Sequence, residues 1–345
     1  MAKIEKLDGA AFLAFPDMKN LLASELAERF GYGRIVESAT ISGMSFSKSD
    51  SSSWYSDLLY CPDFSKDFIE KADSYPYFAR TCLCEPFLLH FDSIGEAASA
   101  LKNIQRNWAP YHFQHFRRGT LIQEKLPYIN LKVRKFPVNI PSSPVGLYTL
   151  IDEKTILASA VTTSPLPAGA IQFEEDHENP PSRAYLKIQE SLSLYHTFFE
   201  RDFPKEGDKC FEAGACPGGW TWVLRQLGAD VLAVDRAELA PSLMADEHVK
   251  FMAHDAFTLK PEEVCEILAC EKIDWLLSDV ICYPERLLEW INIWLESGRA
   301  KNIICTIKMQ GAIDWNLISR FAAIPDSKIV HLNYNKHELT IMIRR

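Results

Sequence analysis

The chain has no apolar run approaching the length of a membrane span. Its opening, Met1-Ala2-Lys3-Ile4-Glu5-Lys6, has neither the apolar core nor the small-residue cleavage site of a secretory leader. Cysteines paired as CxxC are also missing: the nine cysteines are odd in number and scattered from Cys61 to Cys305. That pattern argues against a zinc knuckle and a disulfide framework, so we expect no metal and a reducing, cytoplasmic setting. No usable internal repeat is present. Positive charge is in deficit, 37 Lys and Arg against 46 Asp and Glu, a net −9. This disfavours a chain coated with nucleic acid. A local basic surface is still allowed, because screening confines charge effects to about 10 Å at 0.1 M salt. At 345 residues the chain is long enough for two or three domains.

What is present is concentrated in the C-terminal half. Phe211-Glu212-Ala213 runs into Gly214-Ala215-Cys216-Pro217-Gly218-Gly219-Trp220, and Val231-Leu232-Ala233-Val234 ends on Asp235. An apolar run, a glycine-rich turn, a helical stretch and a second apolar run closed by an aspartate spell strand, loop, helix, strand. The loop matches neither GxGxxG nor GK[ST], so neither the dinucleotide fingerprint nor a P-loop is formed. Pro217 fixes one φ angle while Gly218 and Gly219 free the next two, letting backbone approach a ligand. We expect Gly214, Cys216, Pro217, Gly218, Gly219 and Trp220 to line a cofactor site. Asp235, about twenty residues on, should accept from a ribose diol. Asp255 should serve an adenine amino group, although a strand-end aspartate is more commonly a helix cap.

Strand-like segments are expected at 208–215, 229–235, 248–255, 272–280 and 302–309. Helical patterns alternate with them at 219–227, 261–269, 284–296 and 312–322, predicting a mostly parallel sheet with helices on both faces. A terminal hairpin, 328–334 and 338–343, would add an antiparallel strand, a trait of methyltransferase sheets rather than of dinucleotide dehydrogenases. Together with the loop pattern, this favours S-adenosylmethionine over NAD. A helix is expected over 182–199, preceded by a proline-rich acidic linker at 162–181.

The N-terminal half reads as α+β: a strand at 11–15, a helix at 18–30, a serine-rich turn region at 45–63, a strand at 86–92, a helix at 94–108 and an alternating strand at 128–135. In the last, Ile129, Leu131 and Val133 should face inward and Asn130, Lys132 and Arg134 outward. Between residues 99 and 135 basic side chains, among them Arg117, Arg118, Lys132 and Arg134, outnumber acidic ones, and Trp108, Tyr111, His112, Phe113, His115 and Phe116 are interleaved. Such a mixture suits phosphates and stacked bases. It equally suits a solvated face over a small aromatic core.

Four residues suggest chemistry. Lys187 lies in the helix before the sheet, Asp279 ends Trp275-Leu276-Leu277-Ser278-Asp279, Lys308 ends Cys305-Thr306-Ile307-Lys308, and Glu338 opens the final strand. A lysine at the end of an apolar central strand is hard to place unless paired or functional. Carboxyl ends of strands in an open α/β sheet line the ligand crevice, so Asp279 and Lys308 should converge there.

Gly-Ala-Cys-Pro-Gly-Gly-Trp at 214–220, the Lys187–Asp279–Lys308–Glu338 set and Pro181-Ser182-Arg183-Ala184-Tyr185-Leu186-Lys187 resemble the FtsJ-like ribose 2′-O-methyltransferases. Within that family the likeness is to a bacterial type acting on a cytidine ribose of 23S rRNA, supported by Pro241-Ser242-Leu243-Met244 and by the end His337-Glu338-Leu339-Thr340-Ile341-Met342-Ile343-Arg344-Arg345. It covers residues 180–345. The opening Phe12-Leu13-Ala14-Phe15-Pro16-Asp17 is similar to the family's ferredoxin-like start, and a THUMP-like module would follow. There are three departures. Glu212-Ala213 replaces Asp-Leu, Ala184 stands where a cofactor-binding serine is usual, and the segment after Lys308 is shorter and less basic.

The resemblance implies a Rossmann-like S-adenosylmethionine-dependent methyltransferase sheet with a C-terminal antiparallel hairpin, plus an N-terminal α+β region. The expected division is 1–75 ferredoxin-like, 76–161 THUMP-like, 162–181 linker and 182–345 methyltransferase. It also implies an RNA partner, with no membrane or metal and a monomer as default. Lys308 would be the base. An ordinary lysine, near pKa about 10.4, is protonated at neutral pH, and the ammonium of Lys187 with partial burial would oppose that. Asp279 would orient Lys308 and steady the sulfonium, and Glu338 would hold Lys187. The alternatives are a non-catalytic RNA-binding assembly factor retaining this fold, a methyltransferase of another RNA, and a nicotinamide oxidoreductase, which the loop pattern disfavours.

Overall fold

A computed structural model of the chain describes residues 2–33, 52–65 and 75–345. They form two compact units, one of residues 1–133 and 140–172, the other of 134–139 and 173–345.

The first unit contains β1 (Lys3–Lys6), β2 (Ala10–Ala14), α1 (Lys19–Phe30), β3 (Ser53–Tyr55), β4 (Leu58–Cys61), β5 (Ala79–Leu83), β6 (Phe87–His90), α2 (Ile94–Ile104), β7 (Trp108–Pro110), α3 (Phe116–Gln123), β8 (Gly146–Leu150) and β9 (Thr155–Ser159). Two sheets result, β3-β4-β2-β5 and β1-β6-β9-β8-β7. Leu13, Leu58 and Leu83 of the first sheet and Leu88, Leu147 and Leu157 of the second share one apolar cluster. The sheets do not divide at residue 75: β1 pairs with β6, and β5 returns to pair with β2.

Local chemistry sets the boundaries. Gly31, at φ +68°, ends α1 in the left-handed conformation that glycine adopts without strain. Ser93 accepts from Glu96 N at 3.2 Å to start α2. Three expectations fail here. The serine-rich stretch, where described, contains β3 and β4 rather than only turns, and residues 45–51 lie outside the described part. The helix at 94–108 stops at Ile104, because Trp108 enters β7. Residues 128–135 form no strand: an isolated bridge from Arg134 to Phe173 takes the place of a ladder, and Leu131 and Val133 are half exposed instead of inward.

The second unit carries α4 (Tyr185–Phe199), β10 (Lys209–Ala213), α5 (Gly219–Gln226), β11 (Asp230–Asp235), α6 (Pro241–Met244), β12 (Val249–Ala253), α7 (Pro261–Ile267), β13 (Ile273–Ser278), α8 (Pro284–Ser297), β14 (Ala300–Lys308), α9 (Trp315–Ala322), β15 (Ser327–Val330) and β16 (Glu338–Arg344). The sheet order is β12-β11-β10-β13-β14-β16-β15. Strands β10 to β14 run parallel, and β16 is antiparallel to both β14 and β15. The expected alternation and terminal hairpin are therefore present.

Parallel strands covered on both faces must be apolar throughout. Ile303, Ile304, Cys305 and Ile307 of β14 are fully buried, as are Phe211 of β10 and Leu276 and Leu277 of β13. Each large apolar side chain so placed contributes up to about 1.5–3 kcal/mol. Helix α8 shows the complementary pattern: Leu287, Leu288, Trp290, Ile291 and Trp294 form its buried stripe, Pro284 opens it and Gly298 at φ +65° closes it. The chain turns back at β10, with β11 and β12 on one side and β13 and β14 on the other. The crevice of such a sheet opens above the carboxyl end of that strand.

Candidate active site

The glycine loop begins where β10 ends. Gly214 N donates to Val234 O at 2.9 Å, and Gly214 sits at φ +77°, where a Cβ would lie 2.6 Å from Val280 Cγ2. Cys216 N donates to Asp235 Oδ2 at 3.0 Å, and Ala237 N donates to Asp235 Oδ1 at 3.2 Å. Asp235 thus pins the loop while keeping lone pairs on both oxygens. Gly218, at φ +109°, packs against Leu243, and a Cβ on Gly219 would come 2.5 Å from Ser182 Oγ. Close by are two buried donors without a hydrogen-bond partner, Ser182 Oγ and Trp220 Nε1. Clear backbone beside unspent donors can hold a polar ligand. Ser182 was not among the expected site residues. The only signal was its place in Pro181-Ser182-Arg183 ahead of α4.

The four residues expected to act together do meet. Lys187 Nζ donates to Asp279 Oδ1 and Oδ2 at 3.1 and 3.2 Å and pairs with Glu338 Oε1. Lys308 Nζ donates to Asp279 O at 2.7 Å and lies 3.1 Å from Asp279 Oδ1. Two ammonium groups therefore share one carboxylate oxygen. Their geometry follows from the sheet: Asp279 directly follows β13, Lys308 ends β14, and Glu338 is opposite Lys308 in the β14–β16 register. Lys187 comes down from α4, its side chain only 8% exposed against 18% for Lys308. Lys308 is the more accessible of the two amines.

Glu212, the penultimate residue of β10, is buried. Its pKa is pushed up to about 8 by burial, with the charges of Asp279 and Asp235 acting the same way. Thr221 Oγ1 donates to it at 2.6 Å, which opposes the shift. At neutral pH the carboxyl is largely protonated. About one turn further along α4, burial pushes Glu190 up to about 7. Its carboxylate accepts from Asn333 N, Asn333 Nδ2 and Tyr334 N at 3.0, 2.8 and 3.2 Å, so α4 grips the loop leading into β16.

Asp255 is more occupied than expected. It caps a short helical turn, accepting from Phe257 N at 3.1 Å, and it takes Arg286 at 2.9 Å. Burial acts to raise its carboxyl, but Arg286 and the backbone bond outweigh it, leaving the pKa below the ordinary value. Arg286 was missed because nothing in a helix's first turn marks a residue that reaches back to a neighbouring strand.

The expected RNA-binding side chains are divided between the two units. Arg117 and Lys132 are exposed in the first unit. Arg118 is half-buried, its guanidinium 5.3 Å from the Phe91 ring centre. Arg134 belongs to the second unit, where its carbonyl accepts from Glu174 N at 2.8 Å. Of the interleaved aromatics, Trp108 is 0% exposed and donates to Leu101 O at 2.9 Å, a core residue and not a stacking face. Phe116 is 59% exposed.

Residues 180–297 match the FtsJ-like methyltransferase family, and the chain carries an FtsJ-like methyltransferase domain. Two curated relatives are both named Ribosomal RNA large subunit methyltransferase M. The one from Alkalilimnicola ehrlichii is 30% identical over 197 residues, covering 55% of this chain and 52% of the relative. The one from Halorhodospira halophila is 36% identical over 131 residues, covering 38% of this chain and 36% of the relative. The chain thus spans about half the length, or less, of these relatives. A solved Methanococcus jannaschii fibrillarin pre-rRNA processing protein is 20% identical over 41% of this chain and 68% of its own, at a TM-score of 0.31. A likeness that low supports no functional argument.

Proposed function

We propose that the protein transfers a methyl group from S-adenosylmethionine to a ribose 2′-hydroxyl of RNA, with a cytidine of 23S rRNA as the target. The observation that carries this reading is the meeting of the Lys187 and Lys308 amines on Asp279 Oδ1 beside the glycine loop. A ribose hydroxyl is a poor nucleophile, so the protein must position it and remove its proton.

Bound S-adenosylmethionine supplies an electrophilic sulfonium methyl. The residues present fit it: Gly214, Cys216, Pro217, Gly218, Gly219 and Trp220 give a close backbone cradle, and the buried donors Ser182 Oγ and Trp220 Nε1 have no other partner. Asp235 accepts from a ribose diol through its remaining lone pairs, and Asp255 accepts from the adenine amino group while held by Arg286. Lys308 Nζ takes the proton of the attacking 2′-hydroxyl. Asp279 fixes Lys308 through its carbonyl and its carboxylate, and that carboxylate would steady a bound sulfonium. Glu338 and Asp279 together hold Lys187.

The first unit, with Arg117, Arg118 and Lys132, serves RNA recognition in the manner of a ferredoxin-like and THUMP-like region, and Arg134 adds a contact from the second. The protein works in the cytoplasm, its oligomeric state open with a monomer as the default.

Lys308→Ala tests the reading. Methyl transfer to 23S rRNA should fall by at least a thousandfold while the dissociation constant for S-adenosylmethionine stays within threefold. Equal losses of rate and cofactor affinity would make Lys308 a binding residue and remove the mechanism.

A further inference from the structure

The most exposed large apolar side chains among the described residues 173–345 sit together. Ile281 is 77% exposed and Tyr283 is 70% exposed, two and four residues beyond Asp279. Neither is needed to build the fold nearby. The buried stripe of α8 begins at Leu287, and Tyr283 only precedes Pro284, which opens the helix with its fixed φ.

The loop that carries them is nevertheless held at both ends by the candidate site. At one end Asp279 binds both lysines, and Val280 packs on Gly214 so closely that no Cβ fits between them. At the other end Arg286 reaches Asp255. Cys282 lies between: burial raises its thiol pKa while the positive charges of Arg286 and Lys308 lower it, so it lies close enough to feel both. A solvent-facing isoleucine and tyrosine thus stand on a short loop tied to Lys308 through Asp279 at one end and to Asp255 through Arg286 at the other.

We propose that Ile281 and Tyr283 form the floor on which the base of the target nucleotide lies while its ribose presents the 2′-hydroxyl to Lys308. This rests on the methyltransferase reading above and names a contact which that reading lacks. The chemistry requires such a surface. The base is joined to the carbon next to the one bearing the reacting oxygen, so a hydroxyl at Lys308 brings its base to the adjoining protein surface. A nucleotide drawn from its neighbours loses base stacking, and an aromatic face beside an aliphatic side chain replaces it. Stacking on a ring tolerates any base, so this floor sets the depth and angle of the ribose and leaves sequence choice to contacts elsewhere. The occupant is an unpaired RNA base.

The test uses the full chain, 23S rRNA transcribed in vitro and S-adenosylmethionine labelled in its methyl group. Tyr283→Ala should raise KM for the transcript, and its dissociation constant, roughly ten- to a hundredfold, with cofactor affinity unchanged within twofold. Tyr283→Phe, which retains the ring, should recover affinity to within threefold, and Ile281→Ser should cost a few-fold. The unchanged cofactor affinity shows that the variants are folded.

If the wild-type protein transfers methyl and Tyr283→Ala stays within twofold in KM and RNA affinity, the floor is wrong and the methyltransferase reading stands. If the wild-type protein binds the transcript without transferring methyl, the methyltransferase reading fails. The floor is then judged by binding alone, supported by a tenfold loss in Tyr283→Ala and overturned by none. If the wild-type protein neither binds nor transfers, both fall.

Discussion

Glu212→Gln isolates the buried acid under the glycine loop. In the folded chain this carboxyl holds its proton up to about pH 8, whereas an exposed glutamate releases it near 4.5. The folded state therefore binds the proton more tightly. The resulting stabilisation is fully present below about pH 4.5 and is lost as pH rises to about 8. At about 1.36 kcal/mol per pH unit, the whole interval corresponds to about 5 kcal/mol, of which about 3 to 4 falls between pH 5 and 8.

Glutamine has no proton to lose and keeps an oxygen for Thr221 Oγ1, which now donates to Glu212 at 2.6 Å. Urea unfolding can be followed by tryptophan fluorescence, to which the second unit contributes six of the eight tryptophans. The wild type should lose stability relative to Glu212→Gln by about 3 to 4 kcal/mol between pH 5 and 8. Profiles that run parallel to within about 1 kcal/mol over that range would refute the reasoning, because Glu212 would then be ionised in the fold.

Lys187→Met leaves Glu338 and Asp279 facing each other without their shared cation. Breaking a buried ion pair from one side costs about 3–5 kcal/mol, so thermal unfolding should shift down, and methyl transfer should fall by about a hundredfold or more. Gly214→Ala forces a Cβ into Val280 at a positive φ; calorimetry should show S-adenosylmethionine binding weakened by about tenfold or more, with a stability loss of about 1–3 kcal/mol. Arg117→Glu with Lys132→Glu, both exposed, should weaken RNA binding and reduce the slope of log K against log salt by about one for each phosphate no longer neutralised. An unchanged slope would take these residues out of the interface.

The second unit was legible because its strands are buried on both faces. Apolar runs such as Ile303–Ile307 allow only one placement, and the glycine, proline and aspartate punctuation between them is strong. The first unit was not. Its β1 is Lys-Ile-Glu-Lys, largely exposed, and β3 and β7 are three residues each. Strands so short are specified by their partners more than by their own pattern. The alternation over 128–135 misled for the related reason that periodicity shows which face could be buried and cannot supply a neighbour to bury it.

The site divides in the same way. Asp279, Lys308 and Glu338 were readable because strand ends have a known direction, and Lys187, on α4, through the family resemblance. Ser182, Thr221 and Arg286 act through side chains whose reach depends on how helices settle on the sheet. Glu190 belongs with them, a glutamate in an amphipathic stretch that turned out to be sealed against Asn333 and Tyr334.

Strand β16 is inserted between β14 and β15, and the register of that insertion places Glu338 opposite Lys308. A folding intermediate with β10 to β14 in place but no terminal hairpin would already own the glycine loop, Asp235 and Asp279. On the reading proposed above, it would dock a cofactor while Lys187 still lacked Glu338, and turnover would then be a stricter witness of native assembly than ligand retention.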